Sequence, residues 1–154
     1  MANDRIGVST WSRAGEDIVG ELSWLTATWL REHLLVLRDM VADGSGLLPL
    51  LARGEDHAVA AFRTRDNVDT VLATLDRERA RVTISTAAER QTWVWTLVEL
   101  GMSVAVRMGV PWEVVQQDPD TVEDHCDRLV ARLGRWLTGL ADELAGVADW
   151  STED

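Results

Sequence analysis

Three histidines and one cysteine are the side chains of this chain with the readiest chemistry. His33, His57 and His125 come from three separate segments and could converge on a metal ion, since neutral imidazoles are common zinc ligands. Their spacing does not supply a ligand set. No histidine stands one helical turn from another, and Leu30, Gly54 and Val122 occupy the places where a di-iron bundle sets the glutamate of its Glu-x-x-His pairs. No metal and no cofactor is therefore assigned. Cys126 adjoins His125, but neighbours on a helix point about 100° apart, so this pair cannot serve as nucleophile and base for one another. Cys126 reads instead as a small apolar residue on a helix stripe. With no glycine-rich phosphate loop, serine motif or isolated acid pair, no catalytic residue is assigned either.

Tryptophan is the most unusual feature: eight are present, against one phenylalanine and no tyrosine. Indoles are costly to leave wet and are enriched in pockets and at binding hot spots. Trp93 and Trp95 would be separated by about 200° around a helix, and Trp24 and Trp29 by about 140°, so neither pair can pack against one side. Some indoles must face a second layer, which is either the protein's own core, a partner, or a cavity. If a cavity for an apolar or aromatic ligand exists, Trp29, His33, Trp93, Trp95, His125 and Cys126 are the residues expected to line it. The arginines are also uneven. From Arg63 to Arg90 the chain carries six bases and five acids, whereas the remainder has nine and twenty-one. A contact surface for a protein partner or a second copy would draw on Arg63, Arg77, Arg81, Trp112 and Trp150.

The segment from Gly101 to Asp118 resembles a helix-turn-helix, with Val104, Ala105, Met108, Gly109, Val110 and Val115 at its apolar, small and turn positions. That resemblance implies a DNA-binding regulator. The recognition stretch departs from the pattern, reading Pro111-Trp112-Glu113-Val114-Val115-Gln116-Gln117-Asp118 where Arg, Lys or Asn would meet base edges. A formal charge of -11 also repels phosphate backbones and anionic membranes. Nucleic acid and membrane are thus disfavoured as partners. A lone cysteine and an N-terminus without a continuous apolar stretch lead us to expect a cytoplasmic protein.

The elements that must position these residues read as an all-α fold: a bundle of four main helices with short connecting helical turns, in one domain over 1–154 with a lead-in to about 13 and an acidic tail from about 147. The spacing of Ile18, Leu22, Leu25, Trp29, His33, Val36 and Met40 predicts a first helix from about Gly15 to Ala42, widened by Leu30, Leu34, Leu37 and Val41. Two short helical pieces follow at Leu47–Arg53 and His57–Phe62. A further helix is capped by Asp66 or Asn67 and carries Val68, Val71, Leu72 and Leu75. Arg81 to Ser85 alternates and is β-branched, so it can form an extended segment. Thr86 and Glu89 have capping-box spacing for a helix to about Met108, stopped by Gly109 and expected inside the bundle. Pro111 opens a brief turn, and Asp118-Pro119 starts the last helix, whose stripe is Val122, Cys126, Leu129, Leu133, Trp136, Leu140 and Leu144. The function expected is a non-catalytic module that self-associates or docks a protein partner. The alternative is a small helical ligand-binding protein or enzyme with an aromatic pocket.

Overall fold

A computed structural model of the chain describes residues 10–42, 46–78 and 81–151, with side chains at all of these except 76–78 and 148–151. Most described residues are helical, with four long helices as the sequence predicts, and a small three-stranded sheet accompanies them. Strands β1 (Trp11–Ala14), β2 (Asp17–Glu21) and β3 (Arg81–Ile84) form an antiparallel sheet in the order β1-β2-β3. The helices are α1 (Trp24–Ala42), α2 (Leu48–Ala52), α3 (His57–Glu78), α4 (Ala87–Met108), α5 (Trp112–Val115) and α6 (His125–Ser151), with a 3-10 turn at Pro119–Thr121.

The first predicted helix begins nine residues too early. Gly15, at φ 68°, closes a two-residue turn that pairs Ala14 with Asp17. The β-branched Ile18 and Val19 then pair with Ile84 and Thr83 of β3. Ile18 is buried, but it enters the core from a sheet, so its fit to a helical spacing was a coincidence of position. One inward face carries Trp11, Ile18, Val82 and Ile84, all members of the main core. Gly20 lies opposite Trp11, and the indole occupies the space a Cβ at position 20 would need. The indole Nε1–H donates to the Leu140 carbonyl at 3.0 Å, tying the sheet to α6.

The four long helices start at side-chain caps. Ser23 Oγ accepts from Thr26 N–H at 3.0 Å and begins α1, whose core line is Leu30, Leu34, Leu37 and Val41. Leu25, expected inside, is 74% exposed, while Trp29, His33, Val36 and Met40 are half-buried. Asp56 Oδ1 accepts from Ala58 N–H at 2.8 Å, so His57–Phe62 is the first part of α3 and Asp66 and Asn67 sit mid-helix. The capping box of α4 forms as the sequence predicts, with Glu89 N–H donating to Thr86 Oγ1 at 3.1 Å and Thr86 N–H to Glu89 Oε1 at 3.2 Å. Gly109, at φ 71°, ends that helix. Thr86→Ala is expected to lower stability by about 1 kcal/mol in a urea melt.

Helix α4 is the central element, buried at Trp93, Thr96, Leu97 and from Glu99 through Ala105. Its most extensive packing is against α6. That helix starts at His125, with Asp127 N–H donating to Asp124 Oδ1 at 2.9 Å, and runs to Ser151, into the stretch read as a tail. Its inner line is Val130, Leu137, Ala141, Leu144 and Val147, with Val122, Leu140 and Leu144 buried as expected. Cys126 is exposed, as are Leu129 and Trp136 in good part, which corrects the predicted stripe. Ala131 and Ala141 are buried beside that line, and Gly134 admits a close approach of α5. A Cβ on Gly134 would lie 2.5 Å from Val115 Cγ1.

Candidate functional site

A cleft of about 540 Å³ opens between α2, the turn after it, α3 and α4. Its walls are mostly apolar: Leu51 and Ala52 on one side, and Val94, Trp95, Val98 and Met102 along α4 on the other. Four charged side chains line the same space, namely Arg53, Glu55, Arg63 and Glu99. Arg53 ends α2 in the left-handed region, at φ 48° and ψ 45°, and Gly54 follows at φ 91°. This turn reverses the chain into α3 and sets Glu55 at the mouth.

Glu99 lies on the cleft wall of the most buried helix and is only 6% exposed. Its Oε1 accepts from Thr64 Oγ1 at 3.3 Å, a long hydrogen bond, and its Oε2 is 3.8 Å from Arg63 Nη2, beyond hydrogen-bond reach. No other donor to this carboxylate is found among the described residues. Burial pushes its pKa above the ordinary carboxylate value, and neither Arg63 nor the Thr64 hydroxyl brings it back. Arg63 is held by several acceptors at once. It pairs with Glu55, donates from Nη2 to the Leu51 carbonyl at 3.3 Å, and places its guanidinium 5.7 Å from the centre of the Trp95 ring. Its Nε is buried without a hydrogen-bond partner among the described residues.

A second cleft of about 460 Å³ shares Arg53, Val98 and Met102 with the first and extends past Trp112, Gln116 and Gln117 to the Gly134–Asp142 face of α6. No family model, curated protein or solved structure matches this chain. Its reading therefore rests on the geometry of these clefts and of its aromatic clusters.

The residues expected to share a pocket are dispersed. Trp95 lines the main cleft, 43% exposed. Trp93 is in the core, edge-on to Trp11 with ring centres 5.7 Å apart, and its Nε1 has no partner among the described residues. Their separation around α4 is as the helical spacing requires. Trp29 stacks on His33 at 4.1 Å and meets Trp136 edge-on at 5.8 Å, away from the cleft. His125 and Cys126 are exposed at the start of α6. Among the described residues no three His, Cys, Asp or Glu side chains gather as metal ligands would, and the three histidines stay apart. Of the expected contact residues, Arg63 turns inward to the cleft, Arg81 stands 3.7 Å from Glu21 across the sheet, and Trp112 is half-buried on the second cleft. The side chains of Arg77 and Trp150 lie outside the described residues. The helix-turn-helix resemblance reduces to a four-residue α5, too short to lie along a groove. No described helix is long and apolar enough to cross a membrane.

Glu99 was the residue missed. Its signal was an acid inside the most apolar run of the chain, where a charge is retained only against its desolvation cost.

His33 offers a separate titration. Arg107 Nη2 donates to His33 Nδ1 at 2.8 Å, so the ring is neutral at that nitrogen. Burial, then the Arg107 charge, lowers its pKa below the ordinary 6.5, outweighing Glu32. The folded state binds this proton less readily than the unfolded chain does. The contribution is therefore fully present above 6.5 and is lost as the pH falls through the folded value. An NMR titration is expected to place the His33 midpoint below the ordinary 6.5, and Arg107→Met is expected to raise it.

Proposed function

We propose that this chain is a small-molecule-binding protein whose ligand sits in the cleft between α2, α3 and α4. The observation that carries the reading is Glu99. A carboxylate buried on the wall of an open cleft, short of hydrogen bonds and beside a half-exposed indole, costs stability and gains its use when a ligand supplies the missing contacts. The cleft has the expected volume for a small organic ligand, a mainly apolar lining and a few convergent polar groups. Nothing in it sets a nucleophile against a base, so binding, rather than turnover, is the activity proposed.

Calorimetric titration of hits from a thermal-shift fragment screen tests this reading. At least one saturable ligand with Kd below about 1 mM is expected, weakened roughly ten-fold or more by Trp95→Ala. No such ligand, or ligands indifferent to Trp95→Ala, would overturn it.

A second reading, a module that docks a protein partner, is favoured by one observation. Trp24 and Leu25 open α1 at 68% and 74% exposure, more than an unpartnered surface usually gives two adjacent large apolar residues. Sedimentation at increasing concentration, with Trp24→Ser/Leu25→Ser as the comparison, decides whether that surface joins copies of this chain.

A further inference from the structure

The groups that the Arg63 guanidinium meets are ones a cation seeks, although Arg53 lines the same cleft. Glu55 and Glu99 are carboxylates, the Leu51 carbonyl is an acceptor, and Trp95 presents a ring within cation–π distance. Arg63 satisfies this set incompletely, because it reaches Glu99 only at 3.8 Å and leaves its own Nε unpartnered among the described residues. Arg63 also has somewhere to go, being partly exposed at the mouth of an open cleft. Beyond the guanidinium lies an apolar floor of Val94, Val98 and Met102 that Arg63 does not cover fully.

Resting on the small-molecule reading, we infer that the ligand is an organic cation, an amidine, guanidine or amine on a flat apolar body, which displaces Arg63 and puts its N–H donors on Glu99. The flat body lies against Trp95 and the α4 floor, and the outgoing Arg63 keeps Glu55 as its partner at the mouth. An anionic head group in the place of Arg63 would face the Glu99 and Glu55 carboxylates, with Arg53 as the one cation left on the described wall. The overall charge of -11 draws cations toward the protein and repels anions. Arg63 is thus an internal stand-in, and its removal strengthens binding of the ligand it imitates.

The groups that face Glu99 are Arg63 from α3, and Arg53 and Glu55 from the turn after α2. A ligand cation closer than Arg63 pulls the Glu99 proton off, so binding near the pH where Glu99 titrates releases a proton.

Benzamidine, benzamide and benzoate share one ring and differ in head-group charge, and calorimetry with each in two buffers of different ionisation enthalpy reads affinity and proton release together. Benzamidine is expected to bind roughly ten-fold or more tightly than the other two and to release protons. Arg63→Ala and the bulkier Arg63→Gln are both expected to tighten benzamidine binding, and Glu99→Gln to weaken it and abolish the release. Circular dichroism confirms that each variant is folded. Benzamide or benzoate binding as tightly as benzamidine would overturn the cation while leaving the small-molecule reading intact. Weaker benzamidine binding in both Arg63 variants would overturn the stand-in role. If none of the three binds any of these proteins, the inference fails, and the fragment screen decides the broader reading separately.

Discussion

Trp11→Ala is expected to lower the stability of this protein by about 3–5 kcal/mol, a large part of the roughly 5–15 kcal/mol that separates folded from unfolded domains. The indole is almost fully buried and joins three parts of the fold. It fills the space over Gly20, meets Trp93 edge-on, and donates to the carbonyl of Leu140 on α6. Alanine leaves a cavity between sheet and helices and removes the hydrogen bond that ties β1 to the Leu140 carbonyl. Gly20→Ala attacks the same contact from the other side. Its methyl would stand in the ring, so the indole or the strand must shift, at about 1–3 kcal/mol. Urea denaturation of both variants measures this, and losses under about 1 kcal/mol in each would show that the sheet is not anchored through Trp11.

Arg63→Ala and Glu99→Gln are expected to act in opposite directions at pH 8. Glu99 holds its proton more tightly folded than unfolded, so its contribution to stability is fully present below the ordinary value of 4.5 and is lost as the pH rises through the folded value. Arg63 opposes that loss by attracting the ionised form. Without it the buried carboxylate has the Thr64 hydrogen bond but no facing charge from α3, and about 1–3 kcal/mol is expected to disappear at pH 8, less at pH 5. Glu99→Gln keeps a partner for Thr64 and removes the charge, so its stability at pH 8 is expected to equal or exceed that of the natural protein, with a flatter profile from pH 5 to 8. Thermal melts across this range read both effects. A loss above about 1 kcal/mol for Glu99→Gln at pH 8 would mean that the carboxylate serves the fold rather than a ligand.

The parts of the fold legible in the sequence were those governed by local chemistry. The Thr86–Glu89 box and Gly109 bounded α4 because capping and left-handed backbone depend on a few adjacent residues. The β1–β2 hairpin was hidden because its stabilising partners are distant: β2 pairs with β3 residues from Glu21↔Arg81 to Ile18↔Ile84, far along the chain, and Trp11 reaches across to Leu140. Residues 18 and 22 happened to continue the α1 period, and spacing alone could not distinguish a strand entering the same core. The α6 stripe was misplaced for a related reason. The small residues Ala131 and Ala141 are buried there and Gly134 lies near Gly101 of α4, whereas a search for large apolar side chains selects the Cys126–Leu129–Trp136 side instead. At the site, Trp95 and Arg63 were singled out on composition, but for different roles. Their meeting with Glu99 depends on how α3 crosses α4, which no residue spacing encodes.

The most direct test of the central claim is the indole N–H region of the NMR spectrum, recorded while ring-bearing fragments with cationic, neutral and anionic head groups are added, with Trp95 assigned through Trp95→Phe. A ligand-binding cleft between α2, α3 and α4 predicts that at least one fragment shifts the Trp95 resonance saturably while those of Trp24 and Trp136 stay in place. Fragments that leave Trp95 unmoved, or that shift Trp24 and Trp136 instead, would contradict it.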